Sequence, residues 1–196
     1  VNFFKDTLKG IDVSEFQKII DWQSVKRTGI DFAIIRAGYR GWESGKIVTD
    51  LFFDKNIKEA TRAGIDIGVY FFTQAGREEE RYRIKLLSKS NVPVKYPIVI
   101  DTERTPPGNG RGDRISKEKR TKIVQAFCQE IEKLGHKSMI YGNKNWLLND
   151  LEIEKLSKYD IWLADYIKTT NYQYPYTIWQ YTSDGSVSGI GGRVDM

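Results

Sequence analysis

Short apolar runs recur along the chain, and the earlier ones are each followed by an amphipathic stretch. The runs are Leu8 to Val13, Asp31 to Arg36 closed by Gly38, Ile65 to Phe72, Pro97 to Glu103, Ser138 to Tyr141, Asp160 to Ala164 and Thr177 to Tyr181. Arg193 to Met196 is a shorter eighth. Continuous apolar runs of this length read as strands covered on both faces, the habit of parallel sheets. Between them, Thr49 is placed to cap a helix running to Arg62, with Gly64 as its stop. Arg77 to Ser90 predicts a charged helix. Ser116 opens the clearest one, in which Ile123, Phe127, Ile131 and Leu134 form an apolar stripe and Gly135 ends it. Asn143 to Leu156 predicts another, and a short one falls near Gln23 to Thr28. Eight strands with about five helices, alternating through the first five strands, predict an α/β fold. The expected form is a single-domain (β/α) barrel, TIM-like, over residues 1–196, with 1–7 as a leading segment.

Inside that pattern the carboxylates fall unevenly. Residues i and i+2 of a strand share a face. Asp101 and Glu103 therefore point the same way at the C-terminal end of the fourth run, where barrel active sites are built. Asp12 ends the first run and Asp195 lies in the eighth, and those two strands would be neighbours in a closed barrel. Any one of these acids alone reads equally as a strand-end cap. Two acids at i,i+2 spacing, with Cβ atoms about 6.5–7 Å apart, disfavour double ionisation and raise one pKa. That supplies a proton donor near neutral pH, as glycoside hydrolysis requires.

Composition narrows the chemistry. A single cysteine, Cys128, excludes an internal disulfide and a cysteine zinc cluster, and a single histidine, His136, argues against a Ser-His-Asp triad. Cys128 reads as a small buried hydrophobe and His136 as a loop residue. Gly108-x-Gly110-x-Gly112 lacks the Lys-Ser/Thr of a phosphate loop. No run approaches the ~18 apolar residues of a membrane span. The amino terminus carries no signal-peptide core and reads as a processed start, and Met196 follows the last motif directly, as in a chain that continues. The net charge of +5 suits an anionic partner, either nucleic acid or an anionic cell wall, and equally a mildly basic solvated surface.

Several stretches then carry a resemblance. Gly10-Ile11-Asp12-Val13-Ser14 with Gln17 and Ile20-Asp21-Trp22 resembles the opening of the glycoside hydrolase family 25 lysozymes. So do 32–39, 63–70, Asp101-Thr102-Glu103, Tyr141-Gly142-Asn143 with Trp146, 161–164 with Tyr166, Ile178-Trp179-Gln180-Tyr181 and Val194-Asp195-Met196. The match runs in order from Leu8 to the end. It implies a barrel with a reduced helix complement and a β-1,4-N-acetylmuramidase that cleaves peptidoglycan without a metal or other cofactor. By that resemblance Glu103 is the general acid/base, Asp101 its partner, and Asp12 and Asp195 complete an acidic cluster. The substrate's own acetamido group is one nucleophile suggested for such enzymes, and direct attack by water is the other. The expected partners are peptidoglycan glycan strands and the anionic wall rather than nucleic acid. The expected location is extracellular or in the cell wall, or release at host lysis, as a monomer. A catalytically silent sugar-binding barrel and a glycosidase of chitin-like chains are the alternatives.

The aromatic surplus fits a sugar cleft: 5 Trp, 11 Tyr and 9 Phe supply flat faces with polar handles. Tyr39, Tyr70, Tyr141, Trp162, Tyr166 and Gln180 fall at strand C-termini and are the candidate substrate-binding residues, whereas Trp179 and Phe127 are assigned to the core. The chain departs from the resemblance at Lys18, where glycine is common, at Phe71, where histidine is common, and at Asp165. The segment Arg104 to Arg114 is a Pro/Gly/Arg loop directly after Glu103 and reads equally as a cleft wall or a solvated basic loop. Its Arg111-Gly112-Asp113 spells an adhesion tripeptide that chance composition explains.

Overall fold

A computed structural model describes residues 7–76, 94–106 and 108–196. Its strands are β1 (Gly10–Val13), β2 (Phe32–Arg40), β3 (Ile47–Thr49), β4 (Asp66–Phe72), β5 (Ile98–Asp101), β6 (Ser138–Asn143), β7 (Asp160–Ala164) and β8 (Ile178–Gln180). Its helices are α1 (Trp22–Arg27), α2 (Phe53–Arg62), α3 (Lys117–Lys133) and α4 (Lys144–Asn149). One curled sheet has the order β1-β2-β4-β5-β6-β7-β8, all parallel, with β3 antiparallel on the end of β2.

Alternation along the strands separates two apolar layers. Phe32 and Ile34 of β2, Val99 of β5, Met139 and Tyr141 of β6, and Trp162 and Ala164 of β7 pack together on the concave side. Their neighbours Ala33, Ile35, Ile98, Ile100, Ile140, Ile161 and Leu163 turn outward into the larger core beneath the helices. Helix α3 covers that outer face with Ile123, Val124, Phe127, Cys128 and Ile131, so the predicted stripe is buried along with Cys128. Ser116 caps it by accepting from the Lys119 N–H, as its position in the sequence requires. Gly10 stands where a Cβ would lie 2.1 Å from the Phe32 ring, which closes the floor of the concave side with Tyr96 stacked on it at 4.5 Å.

The structure corrects four expectations. The barrel is not closed: β8 and β1 do not pair, and the seam holds the C-terminal stub instead. That stub joins β1 by a single antiparallel bridge, Asp12 to Asp195, and joins the end of β8 through Met196 to Tyr181 and Thr182. Thr49 belongs to β3 rather than capping a helix; α2 starts at Phe53, and the Asp50 carboxylate accepts from the Phe52 N–H just before it. The helix expected over 143–156 stops at Asn149 and resumes as a 3-10 turn over Ile153–Leu156, because Asn143 caps α4 while Leu151 is needed in the core. Glu103 lies two residues beyond the end of β5, not within the strand. The helix predicted over 77–90 falls outside the described residues. Among the described residues no helix is long and apolar enough to cross a membrane.

Candidate active site

Most inward strand positions near the C-terminal rim are polar or aromatic; Ala164 is an exception. Asp12 comes from β1, Arg36 from β2, Tyr70 from β4, Asp101 from β5, Tyr141 from β6, Trp162 from β7 and Gln180 from β8. Glu103 follows β5, and the stub delivers Asp195. The backbone N–H of Asp12 donates to the Asp195 carbonyl at 3.1 Å, so the seam that leaves the barrel open also fixes these two acids side by side.

Gln180 is the hub of this group. The hydroxyls of Tyr141 and Tyr166 both donate to its Oε1, at 2.9 and 2.6 Å. With the oxygen so occupied, its Nε2 faces the acids and donates to Asp12 Oδ2 at 2.7 Å and to Asp195 Oδ2 at 3.5 Å. Gln180, the candidate substrate ligand, is buried and its amide faces the acids. Tyr141 and Trp162 are also buried, edge-on to one another at 4.6 Å, with Tyr70 at 6.2 Å from Trp162. They form the floor of the mouth rather than open platforms. Tyr166, half exposed, and Tyr39 stand at the rim.

Burial is the leading cause of every pKa shift in the quartet. Asp12 is pushed well above the usual aspartate range by burial and by Asp195 and Glu103, against the pull of the Gln180 amide. Asp101 is raised likewise by burial, then by Glu103 and Asp12, with Arg36 opposing. Glu103 rises to about 7, chiefly through burial; a hydrogen bond with Asp101 works the other way and Asp195 adds to the rise. Asp195 is raised by burial. Burial and mutual repulsion thus disfavour ionising Asp101 and Glu103 together, so the pair keeps a proton into the neutral range. Asp101 Oδ1 is buried with no hydrogen-bond partner.

Sequence reasoning gave no role to Arg36, Glu15 and Asp50. The Arg36 guanidinium donates to Asp50 Oδ2 and Glu15 Oε1, both at 2.8 Å, beneath the rings of Phe16 and Tyr39 at 5.0 and 5.2 Å. A signal existed: an arginine in phase with Phe32 and Ile34 on an apolar strand must point inward and find acids there. The β2 bulge between Arg36 and Gly38 lets Tyr39 reach the same side, which strict alternation forbids. The loop after Glu103 is built rather than loose. Its Asp113 carboxylate accepts from the backbone N–H and hydroxyl of Thr105 and from the Gly110 N–H, so the adhesion-like tripeptide has its acid turned inward.

The sequence pattern of the family described as Glycosyl hydrolases family 25 matches residues 11–190. The chain belongs to that family. Lysozyme M1 of Streptomyces globisporus is 28% identical over 199 residues, which cover 96% of this chain and 66% of that protein. Among solved structures, the modular autolysin LytC from Streptococcus pneumoniae superposes with a TM-score of 0.83 at 31% identity, over 96% of this chain and 45% of LytC. The bacterial lysozyme from Streptomyces coelicolor superposes with a TM-score of 0.82 at 26% identity, over 97% of this chain and 91% of that one. This family 25 chain therefore spans less than half of LytC and just under two thirds of lysozyme M1.

Proposed function

We propose that this family 25 hydrolase is a β-1,4-N-acetylmuramidase acting on peptidoglycan. The observation that carries the reading is the convergence of Asp12, Asp101, Glu103 and Asp195 on one mouth, with Glu103 held near pKa 7. Supporting it, LytC has been solved in complex with a synthetic peptidoglycan ligand.

In this reading Glu103 gives its proton to the bridging glycosidic oxygen as the C1–O bond breaks. The unfilled acceptor Asp101 Oδ1 takes the N–H of the sugar's 2-acetamido group, which turns the acetamido carbonyl oxygen toward C1. That oxygen forms the new bond to C1 and gives an oxazolinium-like intermediate. Water then adds to C1 as the C1–O bond to the acetamido oxygen breaks, and loses its proton to Glu103, so the anomeric configuration is retained. Asp195 supplies negative potential against the developing positive charge at C1 beside Asp12, and Gln180 holds both in place. Tyr39 and Tyr166 at the rim offer ring faces to the flanking sugars. The site is assembled within one catalytic unit of one chain, which suits a monomer working at the wall, outside the cell or released at host lysis.

Digestion of purified peptidoglycan tests this. Wild type is expected to release new reducing ends that are muramic acid, and Glu103→Gln to lose at least ~10³-fold in rate with the fold intact. Reducing-end glucosamine would replace the bond assignment, and a fully active Glu103→Gln would remove the acid assignment.

A further inference from the structure

Behind Glu103, on the side away from the mouth, polar contacts form a closed circuit that the reaction above does not use. Gln74, just past the end of β4, donates from Nε2 to the Glu103 carbonyl at 3.3 Å. Its Oε1 accepts from the Gly112 N–H at 2.9 Å. The Gly112 carbonyl accepts from Arg120 Nη2 of α3 at 3.0 Å. The Arg120 guanidinium lies over the Trp146 ring of α4 at 4.3 Å. Trp146 Nε1 donates to Thr102 Oγ1 at 3.1 Å, which returns the circuit to the residue before Glu103.

Each side chain in the circuit is buried: Gln74 is 1% exposed, Thr102 3%, Trp146 4% and Arg120 5%. These residues also line one small cavity together with Glu103. The circuit grips residues 102–103 from two sides, at the Thr102 side chain and the Glu103 backbone. It does so at the end of β5, where the last backbone bond to β6 is from the Thr102 N–H to the Tyr141 carbonyl at 3.2 Å. Buried, satisfied amides and hydroxyls of this kind have one available geometry, because any departure leaves a polar group unpaired.

We propose that Gln74 is a positioning residue for catalysis: with Thr102 it sets the direction from which the Glu103 carboxyl meets the glycosidic oxygen. The inference rests on Glu103 being the acid. Gln74 itself has no place in the mouth. Its amide also ties the loop over 104–114 to the catalytic strand end, so the loop and the acid are aimed together. Acids displaced by about 1 Å lose rate steeply without losing substrate binding, and this gives the effect its signature in kcat rather than KM.

The test is steady-state hydrolysis of soluble peptidoglycan fragments by Gln74→Met, Thr102→Val and Glu103→Gln, with rates expressed per folded molecule from circular dichroism melts. Gln74→Met keeps length and loses both bonds; Thr102→Val keeps shape and loses only the acceptor for Trp146. Both are expected to fold, to lower kcat about 10-fold and to leave KM within about twofold. If Gln74→Met does not fold, Thr102→Val decides alone. Wild-type kcat per folded molecule overturns the inference, as does a rise confined to KM. A fully active Glu103→Gln is a separate failure, that of the acid assignment.

Discussion

Glu103 is stabilised in its protonated form by the same burial that makes it useful. Its native pKa of about 7 lies above the ordinary 4.5, so the folded protein binds the proton more tightly than the unfolded chain. The stability this provides is complete below about pH 4.5 and is lost as pH rises through about 7. Asp12, Asp101 and Asp195 are shifted in the same direction and add to the trend. The native protein is therefore expected to melt at a higher temperature near pH 5 than near pH 8. Glu103→Gln should raise stability near pH 8 by roughly 1–3 kcal/mol, and the gain should shrink as pH falls toward 5. Thermal melts of the two proteins across that range check both; a gain that grows toward acid pH would contradict the burial of a strained acid. The sequence showed this acid through its i,i+2 partner. Gln74 was invisible, because a glutamine after an apolar strand has no distinguishing spacing and its importance depends on Gly112, far along the chain. Lys18 is the residue-scale oddity: among the described residues it is the non-glycine with positive φ, 56°, at the position where the family resemblance led to glycine.

At the scale of elements, the apolar runs placed seven strands correctly, since parallel strands covered on both faces carry their own signature. Strand β3 was missed because Ile47-Val48-Thr49 is short, edge-on and partly exposed, with too few residues to show a period. The last run, expected as an eighth strand, forms only isolated antiparallel bridges. It turns back through the Gly185–Val194 bridge and enters the seam antiparallel to β1. Gly185 makes that approach possible: a Cβ there would lie 2.7 Å from the Val194 carbonyl and 2.6 Å from Met196 Sδ. Gly185→Ala should therefore push the stub from the seam and shift Asp195 away from Asp12 and Gln180. A loss of about 10-fold or more in kcat is expected, with destabilisation of about 1–3 kcal/mol. Wild-type kcat in this variant would show that the stub tolerates the added methyl without moving Asp195.

For the whole molecule, the charge of +5 and the acidic mouth act at different ranges. Under the proposed function, surface lysines and arginines would act on an anionic wall over about a Debye length, and the buried acids only on a sugar in the mouth. Raising salt from about 0.05 to about 0.5 M should weaken action on intact walls severalfold and leave hydrolysis of short glycan fragments without stem peptides nearly unchanged. Equal loss on both substrates would show that salt acts at the mouth itself.

By itself the sequence determined the alternation of strand and helix, the shared face of Asp101 and Glu103 and the strand-end positions of the four carboxylates, because period and spacing are local properties of the chain. Tertiary structure decided the rest. It decided that the sheet stays open, that the C-terminal stub fills the seam, that Gln180 bonds Asp12 and Asp195, that Arg36 pairs with Glu15 and Asp50, and that Gln74 reaches the Glu103 backbone. Each of those depends on which groups, distant in sequence, find a hydrogen-bond partner once water is excluded, and that condition exists only in the folded molecule.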